Sequence, residues 1–205
     1  MGKLEIYFVR HGETEWNNEG RLQGWLDSPL TIQGRASANM LAENLRNIKF
    51  KAVYSSPSGR AIETAKMITK KQMGIQLDPR LQEIHLGEWQ GRLISDILLE
   101  DQERYFAYTS APKTYEPCGG ETFKEVSERI SAFIKECLTV HTEGSLLVVT
   151  HAVAIRCMLL SVLHSSIEQI WDIDEISGTS VTKLNVENGE MVVEYIGKRF
   201  IDNYL

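Results

Sequence analysis

The chain has 205 residues, 42% of them hydrophobic and 24% charged, which is enough for one globular domain with a full core. Its formal net charge of −6 argues against general binding to nucleic acid or to an anionic membrane surface. The longest apolar stretch, 152–163, is interrupted by Arg156 and is too short to cross a bilayer. Its three cysteines lack CxxC spacing and read as reduced thiols, so we expect a cytoplasmic protein that is not a membrane protein.

Three compact apolar runs predict buried strands, and helical patterns lie between and after them. The strands are predicted at 4–9, 52–55 and 146–150. Apolar residues at helical spacing predict helices at 31–48, 60–71, 123–138 and 153–163, with Thr31 as a capping residue. Near the end, runs at 181–186 and 191–196 flank Asn188-Gly189, a dipeptide typical of a two-residue hairpin.

Strands that alternate with helices predict an α/β fold. We expect a three-layer sandwich with a mainly parallel sheet, helices on both of its faces and a C-terminal antiparallel hairpin. The chain is expected to form a single domain, 1–205, with a short cap-like insertion at about 93–117. The hairpin offers an edge strand through which a homodimer could form, an alternative that the sequence leaves open.

Basic side chains follow three of the predicted strands. Arg10, His11 and Gly12 come directly after the first strand, and His151 follows the strand at 146–150. Arg60 opens the helix after the second strand, where the helix N-terminus itself favours anions. Because ligands of open α/β sheets bind beyond the carboxyl ends of the strands, we expect these side chains on one rim. Together they predict a local cationic pocket for a compact dianion, such as phosphate.

Phosphoryl transfer also needs a proton donor for the leaving oxygen. The candidate is Glu83, in the loop-like stretch LQEIHLGEWQGR, with Glu88 as the competing choice. His85 alternates with Glu83 and is left outside the site. Taken singly, each of these residues would more often be structural or solvated, and their shared position at strand ends is what favours a site.

Metal binding is the main rival chemistry. His11-Gly12-Glu13 and Glu83-Ile84-His85 could each supply two ligands, but neither has HExxH spacing. A pocket with two arginines would also repel a divalent cation. No GxGxxG or GxxxxGK[ST] run occurs, so dinucleotide and P-loop sites are not predicted either. We therefore expect no metal and no cofactor.

Taken together, these residues resemble the histidine phosphatase superfamily, also called the phosphoglycerate mutase-like fold. The resemblance spans nearly the whole chain in the family's order. The stretch EIHLGEWQG is most similar to bacterial broad-specificity phosphatases of the cofactor-dependent phosphoglycerate mutase branch. The matching segments are VRHGETEWN (9–17), GRLQGWLDSPLTIQGRASA (20–38), YSSPSGRAIETA (54–65), LQEIHLGEWQGR (81–92), CGGETFKEVSERI (118–130), VVTHAVAIR (148–156) and SGTSVTKL (177–184).

The resemblance implies a role for each matching residue. His11 would be the nucleophile that becomes a phosphohistidine. Glu83 would give a proton to the leaving oxygen and then help to activate the attacking water. The residues that would bind the phosphoryl group are Arg10, Arg60 and His151.

A second group would line the phosphate pocket and its mouth, namely Asn17, Gln23 and the Gly24 amide. Ala152 stands where many relatives carry glycine, and it could still contribute a backbone N–H. Substrate choice is expected in the segment 93–117. The candidate walls for the rest of the substrate are Trp16, Trp25, Tyr105, Phe106 and Tyr108.

Within the family the choice lies between hydrolysis and mutation of phosphoglycerate. Resemblance to the mutases would imply a longer insertion, rich in basic and aromatic residues, after the acid-bearing loop. Segment 93–117 is short and holds two cations, Arg104 and Lys113, against five carboxylates. We therefore expect a metal-independent phosphatase acting on a small phosphorylated metabolite. The alternatives are a cofactor-dependent phosphoglycerate mutase and a non-catalytic phospho-ligand-binding protein.

Overall fold

The computed structural model describes residues 3–187 and 190–200. Its strands are β1 (Leu4–Arg10), β2 (Phe50–Ser55), β3 (Ile75–Leu77), β4 (Gly144–Thr150), β5 (Val181–Glu187) and β6 (Glu190–Lys198). Its α-helices are α1 (Glu15–Asn18), α2 (Ile32–Leu45), α3 (Gly59–Ile68), α4 (Ile94–Glu100), α5 (Gln102–Ser110), α6 (Phe123–Val140) and α7 (Ala152–Val162). None of these helices is long and apolar enough to cross a membrane, within the residues described.

The six strands form one sheet in the order β3-β2-β4-β1-β5-β6. β1 and β2 both run parallel to β4, whereas β5 runs antiparallel to β1 and to β6. This arrangement confirms the predicted α/β architecture with a mainly parallel sheet and a terminal antiparallel pair. The Asn188-Gly189 turn that the sequence predicts lies outside the described residues.

Strand β1 shows how the layers form. Alternate side chains point to opposite faces of a strand, so a strand buried on both faces reads as a continuous apolar run. Leu4, Ile6 and Phe8 pack in the core under α6 and α7. Tyr7 and Val9 pack in the core under α2 and α3. The apolar run of β1 thus fills both core layers, and the polar residues Arg10 and His11 follow at its carboxyl end.

The helices begin where the sequence provides caps. The Thr31 hydroxyl accepts the Gly34 N–H at 2.8 Å at the start of α2, as predicted. The predicted helix 60–71 is shorter in the structure, ending at Ile68, because Lys70 and Lys71 have left-handed φ values of 50° and 58°. β3 is not predicted from sequence, since it has three residues and none is buried.

The cap segment, which we define as residues 93–117, contains α4 and α5, and the sequence predicts neither helix. Each buries a single residue, Ile97 in α4 and Tyr108 in α5, so no apolar stripe at helical spacing marks them. An aromatic cluster joins the cap to the rest of the chain. Its members are Trp89, Tyr105, Tyr108, Tyr115, Phe123 and Trp171.

Candidate active site

The sheet register brings the two strand-end histidines together. In the parallel pair of β1 and β4, Arg10 lies opposite Thr150, so His11 and His151 leave the sheet side by side. Their ring centroids are 5.1 Å apart, and both rings are buried. The structure therefore places both imidazoles on one rim, beyond the carboxyl ends of neighbouring strands.

Arg60 bridges these two rings with one edge of its guanidinium and is 2% exposed. Its Nε donates to His11 Nε2 and its Nη2 donates to His151 Nδ1, both at 3.2 Å. The remaining guanidinium hydrogens are held by the carbonyl oxygens of Gly24 and Leu26 and by Asp27 Oδ1, at 2.8, 2.8 and 2.9 Å. These three acceptors hold the planar guanidinium in place, and its remaining edge faces both histidines.

The hydrogen bonds assign opposite tautomers to the two histidines. His11 Nδ1 lies 2.7 Å from the Gly12 carbonyl oxygen, which can only accept, so Nδ1 carries the proton and Nε2 keeps its lone pair. His151 Nδ1 accepts from Arg60, and its Nε2 lies 2.8 Å from Ser56 Oγ. His11 therefore presents an unprotonated nitrogen, as a nucleophile requires.

The electrostatics of the site keep both rings neutral. Burial, followed by the charges of Arg60 and Arg10, holds the pKa of His11 well below its usual value. Burial and Arg60 lower the pKa of His151 in the same way. Both imidazoles are consequently uncharged at neutral pH, and the positive charge of the site belongs to the arginines.

A cavity of about 130 Å³ opens beside His11. Two buried polar atoms on its wall, Arg10 Nε and Gln23 Oε1, have no hydrogen-bond partner among the described residues. An unpaired buried guanidinium N–H costs free energy and is satisfied by an anion. The residues lining the cavity are Arg10, His11, Asn17, Arg21, Leu22, Gln23, Gly24, Arg60, Glu83, Ile84, Leu86, Tyr108 and Val153.

Most of the residues expected at the site therefore meet at this cavity. Asn17 accepts the Thr14 N–H and hydroxyl through Oδ1, which leaves its amide hydrogens for a ligand. Gly24 lines the cavity and its carbonyl oxygen binds Arg60, while the expected role of its amide stays a prediction. His151 and Ala152 are not part of the lining: His151 contacts the Arg60 edge that also faces His11, and Ala152 begins α7.

Glu83 reaches the cavity from the loop that precedes the cap. Its carboxylate sits at the N-terminus of α7 and accepts the Val153 and Ala154 N–H groups at 3.3 Å. It also accepts the Ile84 N–H at 2.9 Å. Glu88, the competing candidate, is exposed and lies outside the cavity lining. The geometry thus places Glu83, and not Glu88, within reach of a ligand bound beside His11.

Sequence reasoning misses the residues that hold Arg60 in place. Asp27 Oδ1 accepts both the Arg60 backbone N–H, at 3.3 Å, and its Nη1, at 2.9 Å. A Cβ on Gly59 would lie 2.3 Å from Asp27 Oδ2, so a larger residue at the helix start would displace this carboxylate from Arg60. The partners are far apart in sequence, and no spacing rule connects them.

The turn at Gly12 has similar unpredicted support. The Gly12 N–H donates to Thr64 Oγ1 at 3.0 Å. Thr179 has a left-handed φ of 59°, a strained conformation for a β-branched residue, and its N–H donates to the Arg10 carbonyl at 3.0 Å. Both contacts fix the backbone from which Arg10 and His11 project.

Of the five candidate wall residues, Tyr108 lines the cavity and the other four do not. Tyr108 lines the cavity, and burial raises its pKa well above the usual value, so its hydroxyl stays protonated. The indole Nε1 of Trp25 donates to the Glu83 carbonyl at 2.8 Å. Phe106 is 61% exposed and, like Trp16 and Tyr105, is not in the cavity lining.

Over the described chain, no group of three or more His, Cys, Asp or Glu side chains is arranged to hold a metal ion.

Comparison with known proteins adds independent information. Residues 6–199 match the family described as Histidine phosphatase superfamily (branch 1). The chain is 34% identical over 161 residues to the probable phosphoglycerate mutase GpmB of Enterobacter sp. (strain 638), covering 78% of this chain and 75% of that one. It is 32% identical over 169 residues to phosphoserine phosphatase 1 of Hydrogenobacter thermophilus, covering 82% and 80%. Among solved structures, Bacillus stearothermophilus YhfR matches with a TM-score of 0.92 and 36% identity over 95% of this chain and 97% of that one.

Proposed function

The chain belongs to the histidine phosphatase superfamily, and from this premise we propose that it hydrolyses small phosphomonoesters through a phosphohistidine on His11. One observation carries the proposal. The unprotonated Nε2 of His11 lies beside a small cavity on whose wall a buried Arg10 N–H has no partner in the described part of the chain. A phosphoryl group in that cavity supplies both the electrophile that Nε2 needs and the acceptor that Arg10 needs.

The first half-reaction transfers the phosphoryl group to the enzyme. His11 Nε2 attacks phosphorus and the bond to the ester oxygen breaks, while Glu83 gives its proton to that leaving oxygen. Arg10 and Arg60 stabilise the negative charge on the equatorial oxygens. The Gly12 carbonyl accepts from Nδ1, 2.7 Å away, and so stabilises the positive charge that the ring acquires.

The second half-reaction returns the enzyme to its starting state. Glu83 takes a proton from water as the water oxygen attacks phosphorus, and the bond to Nε2 breaks to release phosphate. No step consumes a metal or an organic cofactor. His151 accepts from Arg60 through Nδ1 and so orients the guanidinium beside His11.

Hydrolysis rather than mutation is favoured by the charges around the cavity. A glycerate carboxylate would need a cation beyond the phosphoryl site. In the cap segment, Arg104 pairs with Asp101 at 3.2 Å and Lys113 with Glu168 at 3.0 Å, and neither lines the cavity. Arg21 does line it, but it is bonded to Glu19 and to the Gly91 carbonyl. The partner we propose is accordingly a small phosphorylated metabolite, with water as the acceptor.

Phosphorus NMR tests the proposal. A panel of phosphomonoesters that includes 3-phosphoglycerate is incubated with the protein in EDTA, with and without bisphosphoglycerate. We expect free phosphate with the wild type and with His164→Asn, a control in an exposed histidine, and none with His11→Asn. Formation of 2-phosphoglycerate without net phosphate release would support the mutase instead. Phosphate binding without turnover of any ester would support a non-catalytic binding protein.

A further inference from the structure

The most heavily bonded arginine outside the phosphoryl site is Arg129, on α6. Its side chain is 15% exposed, and each of its five guanidinium hydrogens has an acceptor. Nη1 donates to the carbonyl oxygens of Arg80 and Gln82 at 2.7 Å. Nη2 donates to the Glu83 carbonyl at 2.9 Å. Nε and Nη2 also bind Glu121 Oε1 and Oε2, at 2.8 and 2.9 Å.

The three carbonyls belong to one short segment, 80–83, which ends at the proton donor of the proposed reaction. This segment begins in a single 3-10 turn, Pro79–Leu81, and continues as loop, and no backbone N–H of the described residues donates to these three carbonyls. A single guanidinium holds all of them. The Glu83 carbonyl also accepts from the Trp25 indole, so two donors hold the backbone at Glu83.

Glu121 completes the arrangement on the other side of Glu83. Its Oε2 accepts the His85 N–H at 2.9 Å, and its own N–H donates to the His85 carbonyl at 2.8 Å. A Cβ on Gly120 would lie 2.3 Å from that carbonyl oxygen, which makes glycine necessary for this close approach. The Arg129–Glu121 pair thus contacts the backbone at residues 80, 82, 83 and 85.

From this geometry we infer that Arg129, oriented by Glu121, is a positioning residue that sets the place of the Glu83 carboxyl group in the cavity. The inference rests on the proposed function. Arg129 itself does not line the cavity, so it acts through the loop and not on the substrate. Loss of the guanidinium leaves the Arg80 and Gln82 carbonyls without a donor and the Glu83 carbonyl with the Trp25 indole alone, and the loop then shifts to find water. A displacement of about 1 Å at a catalytic group can cost about 10²-fold in rate.

Leaving-group dependence distinguishes positioning of the acid from general support of the fold. An alkyl ester such as 3-phosphoglycerate needs a proton on its leaving oxygen, whereas 4-nitrophenolate leaves without one. The value of kcat/KM reports the steps up to loss of the leaving group, before water attacks. We expect Arg129→Met to lower kcat/KM about 10- to 100-fold on the alkyl ester and about threefold or less on 4-nitrophenyl phosphate.

Two further variants sharpen the experiment. Arg129→Lys keeps the charge but loses the planar fork, so it is expected to retain most of the defect. Glu121→Gln keeps the shape of the partner and should give a smaller defect with the same preference for the nitrophenyl ester. The control is Arg156→Met. Arg156 also donates to two loop carbonyls, those of Ile170 and Ile173, but neither belongs to the loop that carries Glu83. It should affect both esters by the same factor.

The outcomes separate the two claims. If the wild type hydrolyses neither ester, the proposed function fails. If the wild type hydrolyses both and the Arg129 and Glu121 variants lose activity equally on both, the positioning role is contradicted. Thermal unfolding of each variant is measured alongside, and Glu121→Gln keeps the inference testable if Arg129→Met does not fold.

Discussion

The phosphoryl site and the cap segment are built in opposite ways. At the phosphoryl site, Arg10, His11 and Arg60 project from strand and helix ends that the sheet holds in register, and all line one cavity. In the cap, aromatic packing holds the helices, and the cations Arg104 and Lys113 pair with carboxylates away from the cavity. Phe106 and Leu99 are exposed by 61% and 85%.

This contrast indicates that the two regions contact different parts of a substrate. Under the proposed function, the strand ends recognise the one group that all phosphomonoesters share, and we expect rigid backbone elements to make that recognition strong. The cap offers surface but few directed charges to the rest of the substrate. A substitution should therefore be severe at the strand ends and mild in the cap, and the following predictions test that gradient.

The largest difference is expected between two arginines, one from each region. Arg60→Met removes the buried guanidinium charge beside His11 and should lower kcat/KM about 10²- to 10³-fold. Arg104→Met removes only a pair with Asp101 and a contact with the Trp89 ring, so it should stay within about twofold. Steady-state kinetics on 4-nitrophenyl phosphate measures both. Similar losses in the two variants would remove the distinction between the regions.

A smaller effect is expected where a residue acts through Arg60. Asp27→Ala removes the acceptor of two Arg60 N–H groups and should lower kcat about tenfold. Asp27→Asn retains an oxygen acceptor and should recover most of that loss. If Ala and Asn variants were equally impaired, the charge of Asp27 rather than its hydrogen bonds would be the operative feature.

The buried histidines make stability depend on pH. Their folded-state pKa values lie well below the ordinary value of 6.5, so below pH 6.5 the unfolded chain binds protons that the folded chain excludes. The free energy of unfolding should therefore decrease as the pH is lowered below 6.5, by up to about 1.4 kcal/mol per pH unit for each histidine. Urea titrations between pH 7 and pH 5 measure this slope. His11→Gln should reduce it, and an unchanged slope would contradict the assigned burial of a neutral ring.

The smallest effect is expected at Lys113. This side chain is 73% exposed and pairs with Glu168, so Lys113→Ala should leave kcat and KM for 3-phosphoglycerate within about twofold. The same assay with the mutase activator, bisphosphoglycerate, shows whether the residue matters for isomerisation. A large rise in KM would mean that Lys113 binds the carboxylate, which would favour the mutase.

The same contrast explains what the sequence can predict. His11 and His151 are visible because each directly follows a continuous apolar run, a local pattern that fixes both strand and position. The helices α4 and α5 leave no such pattern, since each buries a single residue. Their position depends on aromatic contacts between distant parts of the chain.

Residues that hold other groups in place are the hardest to find. Asp27 accepts the Arg60 backbone N–H and guanidinium, whereas Arg129 donates to backbone carbonyls, and these partners lie more than thirty residues away. Their neighbours in sequence therefore carry no trace of the pairing. The glycines near them are the better signal, because a Cβ on Gly120 would overlap a backbone carbonyl and a Cβ on Gly59 would displace the Asp27 carboxylate.

The central claim is that His11 carries the phosphoryl group, and trapping that intermediate tests it most directly. Protein turning over 4-nitrophenyl phosphate is quenched in base, digested and analysed by mass spectrometry, since phosphohistidine is lost in acid. We predict one phosphoryl group on the peptide that contains His11, absent in His11→Asn and present in His164→Asn. A phosphoryl group on another residue, or turnover by His11→Asn at the wild-type rate, would contradict the account.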